Sequence, residues 1–221
     1  MRRIISLIIL GACIISLASC DRRYDENEVR EAAALLLEES KLLNEIFYGS
    51  GIPYINDESR ADGAYYEADY SYTSSHGIQT VEDIKEMARA VFSEGYCEQI
   101  FSTILSPVGD DDKIYYMARY YQKTDSLSGE NISIMVYSLA RIFLYDSYEY
   151  DLSSITVDGS KGERVYISVG VNVTDSETGE LHTVTRSIAL IEEEDGWRVD
   201  SPTYAQYSKE NAYYDELQNN K

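Results

Sequence analysis

The sequence predicts an α+β fold in which N-terminal helices pack on a curved antiparallel sheet. Two observations support this prediction. Apolar residues recur at helical spacing up to residue 105, and apolar and polar residues alternate from residue 113 onward. Helices that come first, with strands following in series, favour an α+β domain over a parallel sheet built from strand–helix–strand repeats.

Three helices are predicted in the first half of the chain. Residues 25–47 form the longest one, because their apolar residues fall on one stripe opposite glutamates and lysines. A second helix starts at Thr80, which forms an approximate capping box with Asp83, and we expect this helix to end at Gly95. A third helix covers residues 96–105 and stops before a proline.

Some strands are predicted more clearly than others. Residues 164–174 alternate cleanly, with valine and isoleucine on one face, which is typical of a half-buried antiparallel strand. Residues 132–145 are largely apolar and fit either a buried strand or a helix. The other predicted strands are 63–72 (a short strand or hairpin), 113–123, 181–194 and 197–204.

The N-terminus has the layout of an export signal. Arg2 and Arg3 precede an apolar run that ends in small residues, and charged residues follow too soon for a membrane span of about 20 apolar residues. Residues 17–20, Leu-Ala-Ser-Cys, resemble the lipobox of bacterial lipoproteins. This resemblance implies that Cys20 becomes the first mature residue and carries diacylglycerol on its sulfur. An ordinary secretion signal with an incidental cysteine is the alternative.

Acylation at Cys20 predicts where the protein acts. Two or more acyl chains hold a protein firmly on a bilayer, so we expect an extracytoplasmic protein on the outer face of the bacterial cytoplasmic membrane. Loss of Arg2 and Arg3 with the leader leaves 17 basic and 39 acidic residues, a net charge of −22. Such a surface disfavours nucleic acid and anionic lipid as partners.

Few residues suggest catalysis. His76 and His182 are the two histidines, and neither lies in a metal-ligand spacing. Residues 109–113, Gly-Asp-Asp-Asp-Lys, lack the spacing of a calcium loop. Cys97 lies on an apolar helical face, which indicates a buried structural thiol rather than a nucleophile. Without a nucleophile elbow or a phosphate loop, we expect a non-catalytic protein with no cofactor and no metal. An enzyme ranks third, because the 39 acidic residues do not single out an acid–base pair.

Tyrosine is abundant, with 21 residues, many of them clustered in 64–72, 114–121 and 144–150. Because tyrosine both packs and offers a hydroxyl, a tyrosine-lined groove could bind a sugar, a peptide or an apolar group. The simpler interpretation is that tyrosine is a good strand residue. The candidate binding residues are Tyr66, Tyr70, Tyr116, Tyr120 and Trp197.

Two parts of the chain resemble known families. Residues 186–204, with Gly-Trp-Arg after a turn, resemble the terminal hairpin of cystatin-like and nuclear-transport-factor-two-like domains. The element order over about residues 63–204 resembles the inhibitor family of bacterial D,L-endopeptidases, which block peptidoglycan-cleaving hydrolases. This second resemblance implies the order of the helices and strands, but it does not identify residues of this chain that would contact a hydrolase. The residues that carry it are Tyr66, Thr80, Phe92, Gly196 and Trp197.

Together these observations predict a lipid-anchored, non-catalytic binding module of the bacterial envelope, with a cell-wall hydrolase as the expected partner. The alternative is a small-ligand-binding domain with a pocket in the concave face of the sheet. The expected organisation is a signal peptide at 1–19, a linker at 20–27, a helix and loop at 28–62, an α+β domain at 63–204 and a polar tail at 205–221.

Overall fold

The computed structural model describes residues 24–110, 113–140, 142, 144 and 146–205, and only the backbone over 108–116. It confirms the α+β class, since helices dominate up to Ile104 and antiparallel strands dominate after it. The predicted signal peptide, Cys20 and all of the predicted tail except Ala205 lie outside the described residues.

The helices and strands have the following bounds. The helices are α1 (Glu26–Tyr48), α2 (Tyr70–Ser75), α3 (Val81–Val91) and α4 (Glu94–Ile104), with a 3₁₀ turn at Glu58–Arg60. The strands are β1 (Tyr65–Glu67), β2 (Val108–Asp110), β3 (Lys113–Tyr116), β4 (Tyr120–Thr124), β5 (Asn131–Tyr137), β6 (Ser147–Lys161), β7 (Arg164–Thr174), β8 (Leu181–Glu193) and β9 (Gly196–Val199).

The largest sheet is a four-stranded antiparallel meander in the order β6-β7-β8-β9. One face of β7 is buried along its whole length, as its alternation predicts, and the face comprises Val165, Ile167, Val169, Val171 and Val173. The pairing of β6 with β7 shifts register twice, between Asp151 and Thr156 and between Val157 and Gly159. Such irregularities bend a strand and increase its local twist.

Helix α1 shares one hydrophobic core with this sheet. The Asp25 side chain accepts a hydrogen bond from the backbone N–H of Asn27 and caps the helix start. Farther along α1, Lys41 forms an ion pair with Glu149 of β6 at 2.5 Å. The long N-terminal helix is therefore part of the folded core and not a detached extension.

A buried polar link ties α1 to the segment that follows β9. The Asn44 side-chain amide donates to the Tyr148 hydroxyl and to Thr203 Oγ1, each at 2.8 Å. The Tyr150 hydroxyl donates to the Thr203 carbonyl at 2.9 Å. A buried polar group without a hydrogen-bond partner destabilises the fold, whereas a hydrogen-bonded one costs little free energy. These hydrogen bonds therefore favour one position of the segment after β9 against α1.

The structure corrects the prediction of a strand or hairpin over residues 63–72. Only Tyr65–Glu67 is a strand, and α2 starts directly after it. The Asp69 carboxylate accepts from the backbone N–H groups of Ser71 and Tyr72, so a helix cap replaces the alternation that the tyrosines suggested.

The prediction that a helix ends at Gly95 is also wrong. Helix α3 ends at Val91, and the Ser93 hydroxyl then accepts from the Tyr96 N–H to start α4. Gly95 lies in the first turn of α4. The capping box of Thr80 with Asp83 is confirmed.

The prediction of one strand over residues 113–123 is corrected, because this range contains two strands, β3 and β4. Residues 132–145, predicted as either strand or helix, are strand up to Tyr137, and the described residues of this range beyond Tyr137 are not strand. The 15-residue strand β6 has no counterpart among the predicted strands.

Candidate functional site

An open groove of about 680 Å³ lies between α2, the turn at 77–80 and the first half of β5, and we call it the β5 groove. Polar and apolar atoms line it about equally, and half of the lining residues carry a hydroxyl or amide side chain. The residues that line it are Arg60, Glu67, Ala68, Tyr70, Thr73, Ser74, Gly77, Ile78, Gln79, Thr80, Asn131, Ile132, Ser133 and Ile134.

The groove exists because β1 is short. β5 pairs with β4 along most of its length, but β1 pairs only with Met135–Tyr137. The Ala68 N–H then donates to the Ile134 carbonyl at 2.9 Å, after which the Asp69 cap turns the chain into α2. The first half of β5 therefore forms the floor of the groove, and α2 forms one wall.

The opposite wall is held by the start of α3. Asp83 accepts from the backbone N–H groups of Gln79 and Thr80, both at 2.7 Å, and these bonds hold the pKa of the Asp83 carboxyl below its usual value. The Val81 N–H donates to the Gln122 side chain on β4 at 3.1 Å. This wall is thus fixed to the same sheet as the floor.

One carboxylate lies inside the groove, and it is neutralised. Glu67 forms ion pairs with Arg60 and with Lys123, whose Nζ lies 3.9 Å from Glu67 Oε1. The Glu67 side chain is 13% exposed. The Glu67 carboxylate oxygens are thus engaged in ion pairs with side chains of the protein itself. The groove is therefore suited to hydrogen-bonded recognition.

Three aromatic residues, two of them exposed, are Tyr70 in the groove lining and two neighbours of lining residues in the chain or the sheet, Tyr66 next to Glu67 and Tyr54 bridged to Ala68. The rings of Tyr54 and Tyr66 stack with centroids 5.2 Å apart. The Tyr66 hydroxyl donates to Glu58 at 2.8 Å, and this hydrogen bond raises the pKa of Tyr66. Tyr70, the first residue of α2, is 79% exposed. We call Tyr54, Tyr66 and Tyr70 the aromatic rim.

The structure brings two of the five candidate residues, Tyr66 and Tyr70, to this region. Tyr120 is 1% exposed, and its hydroxyl donates to the Ile46 carbonyl and accepts from the Ile52 N–H. Trp197 is 8% exposed within the core, and its indole N–H has no hydrogen-bond partner among the described residues. Neither Tyr120 nor Trp197 is placed to contact a ligand at the surface, contrary to expectation. Tyr116 lies in β3, and its side chain is outside the described part of the structure.

Cys97 is a structural thiol, as its helical position predicts. It is 2% exposed, its Sγ lies 3.6 Å from the Phe92 carbonyl, and burial raises its pKa to about 11. His76 is exposed and its Nδ1 lies 2.8 Å from the Tyr72 carbonyl. Within the described ranges, no group of three or more His, Cys, Asp or Glu residues is arranged to hold a metal ion.

Sequence reasoning missed most of the groove. Gln79, Asn131 and Ser133 are neutral polar residues in no recognisable motif, and they come from segments about 50 residues apart in the sequence. The hydrogen bond from the Val81 N–H to Gln122 and the pairing of β4 with β5 bring these segments together. No signal in the sequence marks them as a site.

Comparisons with known proteins assign no family. No family model matches the chain, and no curated protein matches it. One similar solved structure is the solution structure of TraH from the Gram-positive conjugative plasmid pIP501, at 6% identity and a TM-score of 0.33. The match covers 85% of this chain and 98% of TraH. Similarity this low supports no functional transfer.

Fold and site together define an α+β protein with an open hydrogen-bonding groove and an aromatic rim. Among the described helices, none is long and apolar enough to cross a membrane.

Proposed function

We propose that this chain is a lipid-anchored, non-catalytic binding module of the bacterial envelope that holds a protein partner at the β5 groove and the aromatic rim. The anchor would be the acylated sulfur of Cys20. The observation that carries the proposal is the position of Tyr70, a large exposed aromatic residue that lines an open groove with both hydrogen-bonding and apolar groups. Aromatic residues beside hydrogen-bonding groups are enriched where proteins bind each other.

The chemistry of the groove supports binding rather than turnover. Glu67 is neutralised by two cations, and the other polar groups of the groove besides Arg60 are hydroxyls and amides. Such groups orient a partner through hydrogen bonds but offer no activated nucleophile.

The filled interior of the main sheet favours a protein partner over a ligand buried beneath Trp197. Ile167, Val171 and Val173 are completely buried under the elements that cover the sheet, and Thr203 is completely buried as well. A small ligand remains the second candidate at the β5 groove, because about 680 Å³ lies within the usual range of about 300–1,000 Å³ for ligand pockets.

The expected class of partner is a peptidoglycan hydrolase, as the resemblance to the endopeptidase inhibitors implies. The net charge of −20 for the whole chain favours encounter with a basic partner and disfavours an acidic one. A hydrolase with a basic surface around its cleft belongs to the expected class of partner and carries the complementary charge.

A pull-down from envelope extract with the full-length protein in mild detergent tests the proposal. We expect recovery of a peptidoglycan hydrolase, and we expect the added protein to slow the clearing of purified cell-wall sacculi by that hydrolase. Tyr70→Ala should weaken both effects. Tyr166→Ala, on the outer face of β7, is the matched control and should weaken neither.

Two outcomes would count against this function. One is recovery of no hydrolase together with unchanged wall digestion. The other is a Tyr70→Ala protein that performs as well as the unsubstituted one, because the binding surface would then lie elsewhere.

A further inference from the structure

The first half of β8 is an open strand edge at the side of the main sheet. β9 pairs only with Leu190–Glu193 of β8. The chain after β9 adds two bonds at Ala189, from the Asp200 N–H to its carbonyl and from its own N–H to the Ser201 hydroxyl, at 2.8 and 3.0 Å. No described strand pairs with the outer side of residues 181–188.

The register shows which backbone groups lie on this edge. Thr185 is paired across from Gly170 of β7, and the Gly170 N–H points away from β8, since it donates to Ser154 Oγ at 2.7 Å. Thr185 and Gly170 are thus a non-hydrogen-bonded pair, and the N–H and C=O of Thr185 point to the open side. Because the direction of the backbone groups repeats every two residues along a strand, the N–H and C=O of Thr183 and Ser187 also point to the open side. All three residues are exposed.

A cation lies on the inner face of this edge. Arg186 alternates with the exposed threonines and is paired across from Val169, with Val184 on the same face. Its Nε is buried, and among the residues that the structure describes it has no hydrogen-bond partner and no carboxylate forms an ion pair with the guanidinium. Most basic side chains described here do have an acidic partner, among them Arg30, Lys41, Arg60, Arg89, Arg164 and Arg198.

We infer that β8 accepts an extended strand from a partner protein, and that this strand places a carboxylate opposite Arg186. Strand addition satisfies the open backbone groups of Thr183, Thr185 and Ser187. A residue directly opposite Arg186 is a cross-strand neighbour, with its Cβ about 5 Å away, close enough for an acidic side chain to reach the guanidinium. An inward-pointing charge on an edge strand excludes apolar strands, so Arg186 selects the strand that brings a compensating charge. This surface is separate from the β5 groove.

A designed peptide tests this inference independently of the proposed function. The probe is Lys-Thr-Val-Thr-Glu-Thr-Val-Thr-Lys, whose valines and glutamate share one face, and the control peptide carries glutamine in place of glutamate. Binding to the full-length protein in mild detergent is followed by fluorescence anisotropy, and the amide shifts of Thr183, Thr185 and Ser187 are followed by NMR. We expect the glutamate peptide to bind about fivefold more tightly, the upper range for one cross-strand charge pair.

Three variants make the test specific. Arg186→Gln should abolish the preference for the glutamate peptide. Thr185→Pro should abolish binding of both peptides while the fold persists, because the N–H it removes is not used within the sheet. Lys161→Gln removes a positive charge at the hairpin between β6 and β7, and it should change neither the affinity of the two peptides nor the amide shifts. Equal affinity for the two peptides, shifts confined to other residues, or no binding of either peptide would overturn the inference.

Discussion

The guanidinium of Arg119 lies at the end of α1, where its Nη1 donates to the Phe47 carbonyl at 3.2 Å and its Nη2 donates to the Gly49 carbonyl. The last carbonyl groups of a helix have no partner within the helix and carry its partial negative charge. A buried cation therefore completes the C-terminus of α1. Arg119 Nε donates to the Tyr120 hydroxyl, which in turn donates to the Ile46 carbonyl.

Replacement of Arg119 should destabilise the fold strongly. Arg119→Met leaves the carbonyl groups of Phe47 and Gly49 buried without these donors, so the free energy of unfolding should fall by about 3 kcal/mol. Urea unfolding followed by circular dichroism measures the change. Lys161→Gln, at an exposed strand end, should stay within about 0.5 kcal/mol. Similar unfolding midpoints for the two variants would contradict this role of Arg119.

A second prediction concerns the turn that faces the same arginine. Gly51 has a φ of +80°, and a Cβ there would lie 2.5 Å from Arg119 Nη2 and 2.6 Å from the Tyr120 hydroxyl. Gly51→Ala combines backbone strain of about 1–2 kcal/mol with this steric conflict. Gly63→Ala is the control, because Gly63 has a φ of +59° and nothing lies within 4 Å of its Cβ position. We expect Gly51→Ala to be clearly the less stable variant in urea unfolding, and equal stabilities would refute the proposed contact.

Alkylation of Cys97 should be slow and pH-dependent. Burial raises the pKa of this thiol to about 11 from an ordinary value of 9.0, so the thiolate fraction at pH 8 is about a hundredfold lower than that of a free thiol. The reaction rate with iodoacetamide should rise about tenfold per pH unit up to about pH 11. Peptide mass mapping isolates Cys97 from the other cysteines. Rapid alkylation of the folded protein at pH 7 would contradict a buried structural thiol.

The same thiol should lower stability at high pH. Its pKa is higher in the folded protein than in the unfolded chain, so the folded state disfavours the thiolate. The associated stability is fully present below about pH 9 and is lost as the pH rises toward about 11. Cys97→Ala removes this part of the pH dependence, although buried tyrosines contribute a further loss above pH 10. A Cys97→Ala variant with an unchanged stability–pH curve over this window would argue against the raised pKa.

Lipidation of Cys20 is the prediction on which the cellular location depends. Mass spectrometry of the protein from its native membrane should find a mature chain that starts at residue 20 with an acylated sulfur. Cys20→Ser should move the protein from the detergent phase to the aqueous phase, whereas Cys97→Ser should not. An intact leader, or a different start with a free thiol at residue 20, would disprove lipidation.

Elements with a strong period were predictable, and short or irregular ones were not. Helix α1 and strand β7 have long apolar stripes that only one kind of structure explains. Helix α2 has six residues, too few to show a period, and its start depends on a single aspartate cap. In β6, two register shifts and the adjacent serines Ser153 and Ser154 interrupt the alternation of apolar and polar residues.

The candidate site was less predictable than the fold. Tyr70 and Tyr120 belong to neighbouring tyrosine clusters in the sequence, yet one is exposed and the other is buried against the end of α1. A buried tyrosine usually needs a hydrogen-bond partner for its hydroxyl, and the partner of Tyr120, the Ile46 carbonyl, is 74 positions away in the sequence. The same holds for Arg119, which looks like an ordinary surface residue in the sequence.

The hydrogen bond between Asn44 and Thr203 joins residues 159 positions apart. The interior beneath α1 therefore cannot close until almost the whole polypeptide is present. Contacts between such distant residues form late, because the chain entropy lost in closing so large a loop must be overcome first. For a chain exported as proposed, the late formation of this core keeps the polypeptide unfolded while it passes through the translocation channel.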